Sequence, residues 1–140
     1  MMLFGTYVNP LAVLVAAVVG FAIGALWFSN LLFARAWARA YGLETISTEE
    51  MQRTAARAYV VTFVAFAVMA FALAIIIGRI GITFWLGGLK AGVLAWLGFA
   101  ATTALITNVF TRRPINAFLV DAGYYLVALA AMGAIIGGWR

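Results

Sequence analysis

Four long apolar stretches, separated by short segments that carry most of the charges, run along this chain. A helix needs about 20 mostly apolar residues to cross about 30 Å of hydrocarbon, and each stretch can supply such a span. The pattern therefore predicts an all-α integral membrane domain, a bundle of four transmembrane helices that occupies residues 1–140. The predicted spans are residues 10–33, 58–77, 89–110 and 115–136, with a loop at 34–56.

Local signals refine the ends of two spans. Asn9 is a typical N-cap residue, and Pro10 follows it at a first helical position, where the missing N–H costs nothing. The apolar stretch 82–110 is longer than the hydrocarbon core requires. We therefore expect residues 82–88, which include Trp85 and a pair of glycines, to lie in the membrane interface before the third span.

The composition supports this location. Hydrophobic residues make up 67% of the chain and charged residues 9%, whereas soluble globular domains are about 45–50% apolar and about 25% charged. The chain also has no cysteine and no histidine. Disulfides, metal sites built on thiolate or imidazole, and catalysis by Cys or by a Ser-His pair are thereby excluded. We expect neither an enzyme nor a bound cofactor or metal.

The basic residues predict the orientation of the bundle. Lys90, Arg79 and Arg140 lie on one side of the predicted spans, and a larger set lies on the other: Arg35, Arg39, Arg53, Arg57, Arg112 and Arg113. The positive-inside rule places the larger set in the cytoplasm, and both termini then face outward from the cytoplasmic membrane. The net charge of +5 is thus expected to serve orientation and contact with membrane lipids, and nucleic acid is not an expected partner.

The loop at 34–56 begins with a short amphipathic pattern. Arg35 and Arg39 are spaced four residues apart, and Trp37 and Tyr41 lie beside them with the same spacing. This arrangement predicts a helix in the headgroup region, with the aromatic side chains as interfacial anchors. Binding of a partner protein by the loop is the alternative.

Small residues recur at four-residue spacing in all four predicted spans. Such small-xxx-small patterns let helices approach closely, either within one bundle or between chains. We expect these runs to serve packing inside the bundle, with faces that form a homo-oligomer or contact a larger membrane complex as the alternative. The runs are Ala16-Gly20-Gly24, Ala70-Ala74-Gly78, Gly88-Gly92, Ala130-Ala134-Gly138 and Gly133-Gly137.

Asp121 is the one acidic residue inside a predicted span. It lies six residues, or about 9 Å, into the fourth helix. A charge at that depth costs at least a few kcal/mol unless it is paired, protonated or hydrated. Antiparallel pairing of the third and fourth helices places Asp121 level with Ala104. Polar residues expected near the same end complete a candidate polar or ion site: Asp121, Tyr124, Tyr125, Thr103, Thr107, Asn30, Ser29 and Arg57.

Two uses of this cluster remain open. Asp121 can be a structural clamp that holds helices together through hydrogen bonds or a salt bridge. It can also be a site for a proton, a cation or a substrate, since a carboxyl beside tyrosines suits a proton-coupled step.

Three runs of this sequence resemble a known family. GALWFSNLLFARAW (24–37), WLGFAATTALITNVF (96–110) and DAGYYLVALAAMGAIIGGW (121–139) are similar to the domain-of-unknown-function family numbered 1761, small prokaryotic multi-pass membrane proteins. In that family an aromatic pair with serine closes helix one, an A-T-T run lies in helix three, and an A-G-Y segment opens helix four. The family often has an amide and a ring nitrogen where this chain has Asp121 and Tyr125. The resemblance implies a four-helix membrane fold and no defined activity.

Two functions are consistent with these features. The first is a small oligomeric transporter or channel with its polar site near the cytoplasmic end, because one four-helix bundle is barely large enough to enclose a pathway alone. The second is an accessory or scaffold subunit of a larger membrane complex.

Overall fold

The computed structural model describes residues 1–29, 31–43 and 48–140. It begins with a two-stranded antiparallel hairpin whose turn residues, Phe4 and Gly5, have φ of 50° and 75°. These left-handed conformations are those of a tight two-residue hairpin turn. The elements are β1 (Met2–Leu3), β2 (Thr6–Tyr7), α1 (Pro10–Trp27), α2 (Ala34–Ala40), α3 (Thr48–Ile80), α4 (Trp85–Ala95), α5 (Thr102–Phe110) and α6 (Ile115–Gly138). A π-helical segment, Trp96–Ala101, joins α4 to α5.

Four helical rods are long and apolar enough to cross a membrane, which confirms the predicted all-α, four-span architecture. Their bounds are Pro10–Trp27, Gln52–Ile80, Trp85–Phe110 and Ile115–Gly138. The predicted N-cap is also confirmed. The Asn9 side-chain oxygen accepts hydrogen bonds from the backbone N–H groups of Leu11 at 3.0 Å and Ala12 at 3.3 Å.

The first rod is shorter than the predicted span. α1 ends at Trp27 rather than at residue 33 because the Ser29 hydroxyl stabilises a turn there. It donates to the Leu26 carbonyl at 2.6 Å and accepts the Leu31 N–H at 3.3 Å. A serine side chain that bonds nearby backbone groups in this way offers the chain an alternative to the helix.

The third rod begins at Trp85, earlier than residue 89, because its first turns pack closely on α6. Gly88 is buried, and a Cβ added there would overlap the Gly133 carbonyl oxygen. A Cβ added at Gly133 would overlap the Gly88 carbonyl oxygen in turn. Glycine on both helices therefore allows the two backbones to touch. Here the four-residue spacing of small residues serves packing inside the bundle.

α6 is the central helix of the described bundle. It packs against α1, α3 and α4, and α1 packs in addition against α3. Phe66 and Ile77 from α3 and Met132 from α6 are almost fully buried between these helices. The resulting apolar core fills the half of the bundle near the hairpin.

The two chain ends meet at one end of the bundle, which we call the hairpin end. The Asn9 side-chain amide donates to the Trp139 carbonyl at 3.4 Å, and the Arg140 guanidinium donates to the Tyr7 carbonyl at 3.2 Å. The opposite end contains α2 and the turn at 111–114, and we call it the α2 end. The side of the membrane that each end faces stays a prediction.

The π-helical segment changes how the third rod meets α6. Before it, α4 lies against α6 along its length; after it, α5 touches α6 far less. The Trp96 indole N–H donates to the Ala122 carbonyl at 2.8 Å, so the large ring lies between the two helices where they begin to separate. The third rod is thus in close contact with α6 along α4 and in much sparser contact with it along α5.

Candidate functional site

A cavity of about 320 Å³ lies where α5 and α6 separate. α5 forms one wall of the cavity and α6 the other. Tyr41, which directly follows α2, also lines the space. Thr111 and Arg113, in the turn between the two helices, are exposed, so exposed residues border the cavity at the α2 end. Its lining consists of Tyr41, Ala104, Thr107, Asn108, Thr111, Arg113, Phe118, Asp121 and Tyr125.

Asp121 is partly buried on the cavity wall, and both of its carboxylate oxygens accept hydrogen bonds. The Trp37 indole N–H donates to Oδ1 at 3.1 Å. The Tyr41 hydroxyl donates to Oδ2 in a short hydrogen bond. A carboxylate offers about four lone-pair sites, so one donor on each oxygen leaves acceptor capacity toward the cavity.

Both donors reach Asp121 because of the spacing within α2. Trp37 and Tyr41 are four residues apart and therefore share one helix face. Arg35 and Arg39, each two residues before one of them, are exposed. The Trp37 ring also packs edge-on against Phe28, with 5.7 Å between ring centroids. The short helix that the sequence predicts is present, but its aromatic side chains contact α6 and α1 instead of serving only as membrane anchors.

Arg113 fixes Tyr41 from the opposite side. Its guanidinium donates to the Tyr41 carbonyl at 3.0 Å and lies 5.0 Å from the centre of the Tyr41 ring. Burial raises the pKa of Tyr41 to about 12, and its hydrogen bond to the Asp121 carboxylate acts in the same direction. The phenol therefore stays protonated at neutral pH and remains a donor to Asp121.

The structure brings three of the predicted site residues to this cavity, namely Asp121, Thr107 and Tyr125. Ala104 lines it as well, in agreement with the predicted register between the third and fourth helices. Tyr124 points away from it. This side chain is 4% exposed, and its hydroxyl donates to the Gly20 carbonyl at 3.0 Å, so it joins α6 to α1.

The remaining predicted residues lie elsewhere or outside the described part of the chain. Ser29 takes part in the turn after α1, Thr103 donates to the Phe99 carbonyl on its own rod, and Arg57 is exposed on α3. These three are not among the described residues that line the cavity. Asn30 lies outside the residues that the structure describes.

Sequence reasoning missed six residues of this region: Trp37, Tyr41, Asn108, Thr111, Arg113 and Phe118. The shared helix face of Trp37 and Tyr41 was visible, but nothing local indicates that this face meets Asp121. Asn108 donates to the Pro114 carbonyl at 3.2 Å and Thr111 to the Thr107 carbonyl at 2.7 Å. Both side chains therefore shape the turn that places Arg113 at the cavity mouth.

The lining determines which ligands the cavity could hold. Among the described lining residues, Asp121 is the single acidic side chain, and the hydroxyls and amide around it are neutral. In the described ranges, no three Asp or Glu side chains come together as metal ligands would. A lone carboxylate with free lone pairs and aromatic neighbours suits a proton or an organic cation.

Comparison with known proteins agrees with the resemblance noted in the sequence. The family model described as "Protein of unknown function (DUF1761)" matches residues 11–137, nearly the whole chain. No curated protein and no solved structure matches the chain.

Proposed function

This chain belongs to the DUF1761 family of proteins of unknown function, and we propose that it is a small membrane transporter whose binding site is the Asp121 cavity. One observation carries the proposal: a carboxylate within an apolar span lies on the wall of a 320 Å³ cavity that exposed residues border at the α2 end. Intramembrane carboxylates are costly and mark ion or substrate pathways. No enzymatic step is part of the proposal.

The contacts of Asp121 support a site rather than a clamp alone. A clamp would need every oxygen of the carboxylate saturated and its surroundings filled by protein. Trp37 and Tyr41 satisfy one lone pair on each oxygen, and the space beside them is large enough for several water molecules. We infer that Asp121 both holds α2 and receives the ligand.

Transport in this scheme requires a change of shape. The hairpin end is closed by the Gly88–Gly133 contact and by the core around Phe66 and Met132. A ligand at Asp121 therefore cannot pass directly to that end. We propose that α5 moves about the π-helical segment, because π-helical turns occur often at functional sites and α5 has few contacts with α6.

Orientation and assembly follow as further parts of the proposal. We propose that the cavity mouth faces the cytoplasm and that the membrane is the cytoplasmic one, because the positive-inside rule expects the arginines that flank the α2 end on that side. In the most apolar 18-residue stretch of the third rod, 11% of the residues are buried, whereas the corresponding share in α6 is 44%. A second copy packed on the exposed face of α5 would complete the wall of the cavity, so we propose a homo-oligomer.

Currents on a solid-supported membrane test this function. Phosphatidylcholine vesicles with wild-type protein receive a proton gradient, Na⁺, methylammonium or dodecylammonium in turn. We expect a transient current with at least one of them, reduced to the level of empty vesicles by Asp121→Asn. Glu49→Gln, which neutralises an exposed carboxylate on α3, is the matched control and should retain the current. Equal currents in wild type and Asp121→Asn, or none above empty vesicles, would refute a transport role.

The alternative function, a subunit of a larger membrane complex, is favoured by the same exposed third rod. Purification in a mild detergent, followed by native mass measurement, separates the two. A homo-oligomer supports the transporter, whereas stoichiometric association with other membrane proteins supports the accessory subunit.

A further inference from the structure

The cavity at Asp121 has borders of opposite chemical character, and each contains exposed residues that offer an opening. At the α2 end its mouth is bordered by Arg113, with Arg112 adjacent in the same exposed turn. Along its side it follows the line where α5 and α6 separate. In the described part of the chain, α5 packs mainly against α6 and the π-helical segment, so this seam faces the bilayer.

The mouth disfavours cations that come from water. A small hydrated cation entering at the α2 end must pass the guanidinium of Arg113, which is held in place by the carbonyl and ring of Tyr41. Like charges repel each other, so the exposed guanidinium opposes the approach of a cation, most strongly at low ionic strength. A positive mouth leading to a negative interior does not suit an inorganic cation.

The interior nevertheless favours positive charge. Within the described part of the lining, Asp121 is the one acidic residue and accepts one hydrogen bond on each oxygen, from Trp37 and Tyr41, while Thr107 and Asn108 are neutral. The rings of Phe118 and Tyr125 line the same space. Aromatic faces attract an ammonium group once it is removed from water.

Entry from the side avoids the positive charge of Arg113 at the mouth and still leads to the negatively charged Asp121. Ala104 and Phe118 give the seam an apolar wall. The neighbouring Thr102 presents no free hydroxyl proton to lipid, because it donates to the Gly98 carbonyl at 2.9 Å. A molecule with an apolar tail can therefore remain partly in the bilayer while its head approaches Asp121 without crossing Arg113.

We propose that the ligand of this cavity is a lipid-soluble organic cation, an ammonium head with an apolar tail, which enters sideways from the bilayer between α5 and α6. The inference rests on the proposed function, since it names the ligand class of the same site. The ammonium head pairs with Asp121, the aromatic rings surround it, and the tail lies in the seam.

Tryptophan fluorescence provides the test, because Trp37 contacts Asp121 directly. The signal is the change in emission of wild-type protein minus that of Trp37→Phe, measured in phosphatidylcholine vesicles. Three probes are titrated: dodecylammonium, methylammonium and dodecanol. Dodecylammonium is expected to bind at least about tenfold more tightly than either of the others, since only it combines the charge with the buried tail.

Methylammonium and dodecanol each test a different part of the inference. Methylammonium binding as tight as that of dodecylammonium would overturn lateral entry, and equally tight dodecanol binding would overturn selection for charge. Both comparisons are made between probes that are measured on the same pair of proteins, wild type and Trp37→Phe. Asp121→Asn should remove the preference for dodecylammonium over dodecanol, whereas Glu49→Gln should keep it.

The source of the ammonium head is distinguished by lipid composition. If phosphatidylethanolamine in the vesicles competes with dodecylammonium, the natural ligand is an amine-headed membrane lipid; without competition, it is a free amphiphilic amine. Failure of all three probes to bind, with Asp121-dependent currents still present for Na⁺ or protons, would overturn this inference and leave the transporter intact. Absence of such currents would refute the transporter itself.

Discussion

The Tyr41 hydroxyl donates a hydrogen bond to the carboxylate of Asp121, although the two residues are 80 positions apart in the chain. With the parallel contact from Trp37, this bond attaches α2 to the central helix of the bundle. The attachment closes one side of the cavity, so α2 and the candidate ligand share a single carboxylate.

Removal of that hydroxyl should loosen α2. We expect Tyr41→Phe to lower the free energy of unfolding by about 1 kcal/mol through the lost hydrogen bond and to expose α2 to proteolysis. The measurement is the rate of tryptic cleavage after Arg35 and Arg39 in a mild detergent. Tyr59→Phe, on an exposed tyrosine of α3, is the control and should be cleaved at the wild-type rate. Equal rates for Tyr41→Phe and wild type would show that the bond does not hold α2.

The same tyrosine should make stability depend on alkaline pH. The pKa of Tyr41 is raised from 10.0 to about 12 in the folded protein, so the unfolded state loses this proton first as the pH rises. The stabilisation is therefore fully present below pH 10 and is lost between pH 10 and about 12.

Tyrosinate absorbance checks this sign. The difference between wild type and Tyr41→Phe isolates one phenol, which should ionise near pH 12 in the folded protein. The melting temperature of wild type should fall more steeply than that of Tyr41→Phe over the same interval. A difference spectrum centred on pH 10 would contradict the burial and hydrogen bonding of Tyr41.

The glycine contact between α4 and α6 should tolerate no side chain. Gly133→Ala places a Cβ against the Gly88 carbonyl and should destabilise the bundle by about 1–3 kcal/mol, as overpacking does. Gly98→Ala is the matched control, because nothing lies within 4 Å of a Cβ added at Gly98. Thermal unfolding in detergent compares the two. If they melt together, the close approach of these helices is wrong.

Tyr124 and Asp121 should have separable roles despite lying one helical turn apart. Tyr124→Phe loses the hydrogen bond to the Gly20 carbonyl and should lower stability by about 1 kcal/mol, while ligand-dependent currents stay at the wild-type level. Thermal melting and current measurements on one preparation check both expectations, the lower stability and the unchanged current. Loss of current at unchanged stability would place Tyr124 in the site after all.

Much of the architecture could be predicted because apolar length and charge position are properties of the chain itself. Local sequence and helix geometry are enough to predict the four spans, the Asn9 cap and the equal depth of Asp121 and Ala104 in the bundle. The predicted end of the first span differs because Ser29 forms a backbone turn. A hydropathy profile contains no information about the hydrogen bonds of the Ser29 hydroxyl.

The site could be predicted only in part, for a different physical reason. Tyr124 and Tyr125 both lie one turn from Asp121, and only packing decides between them. Gly24 on α1 leaves room for the Tyr124 hydroxyl, where a Cβ would overlap it, so Tyr124 turns toward α1. Likewise, Trp37 and Tyr41 form an amphipathic face that fits lipid as well as protein, and their contact with Asp121 depends on distant parts of the chain.

Water access to the cavity wall tests the central claim most directly. The chain has no cysteine, so single cysteines report on single positions. Ala104→Cys lies on the cavity wall, and Leu105→Cys is the control, at nearly the same depth but outside the described lining. In sealed vesicles, a charged, membrane-impermeant thiol reagent should modify Ala104→Cys from the α2 side and leave Leu105→Cys unmodified. Equal protection of both cysteines would show a dry, filled interface at Asp121 and would contradict a binding site there.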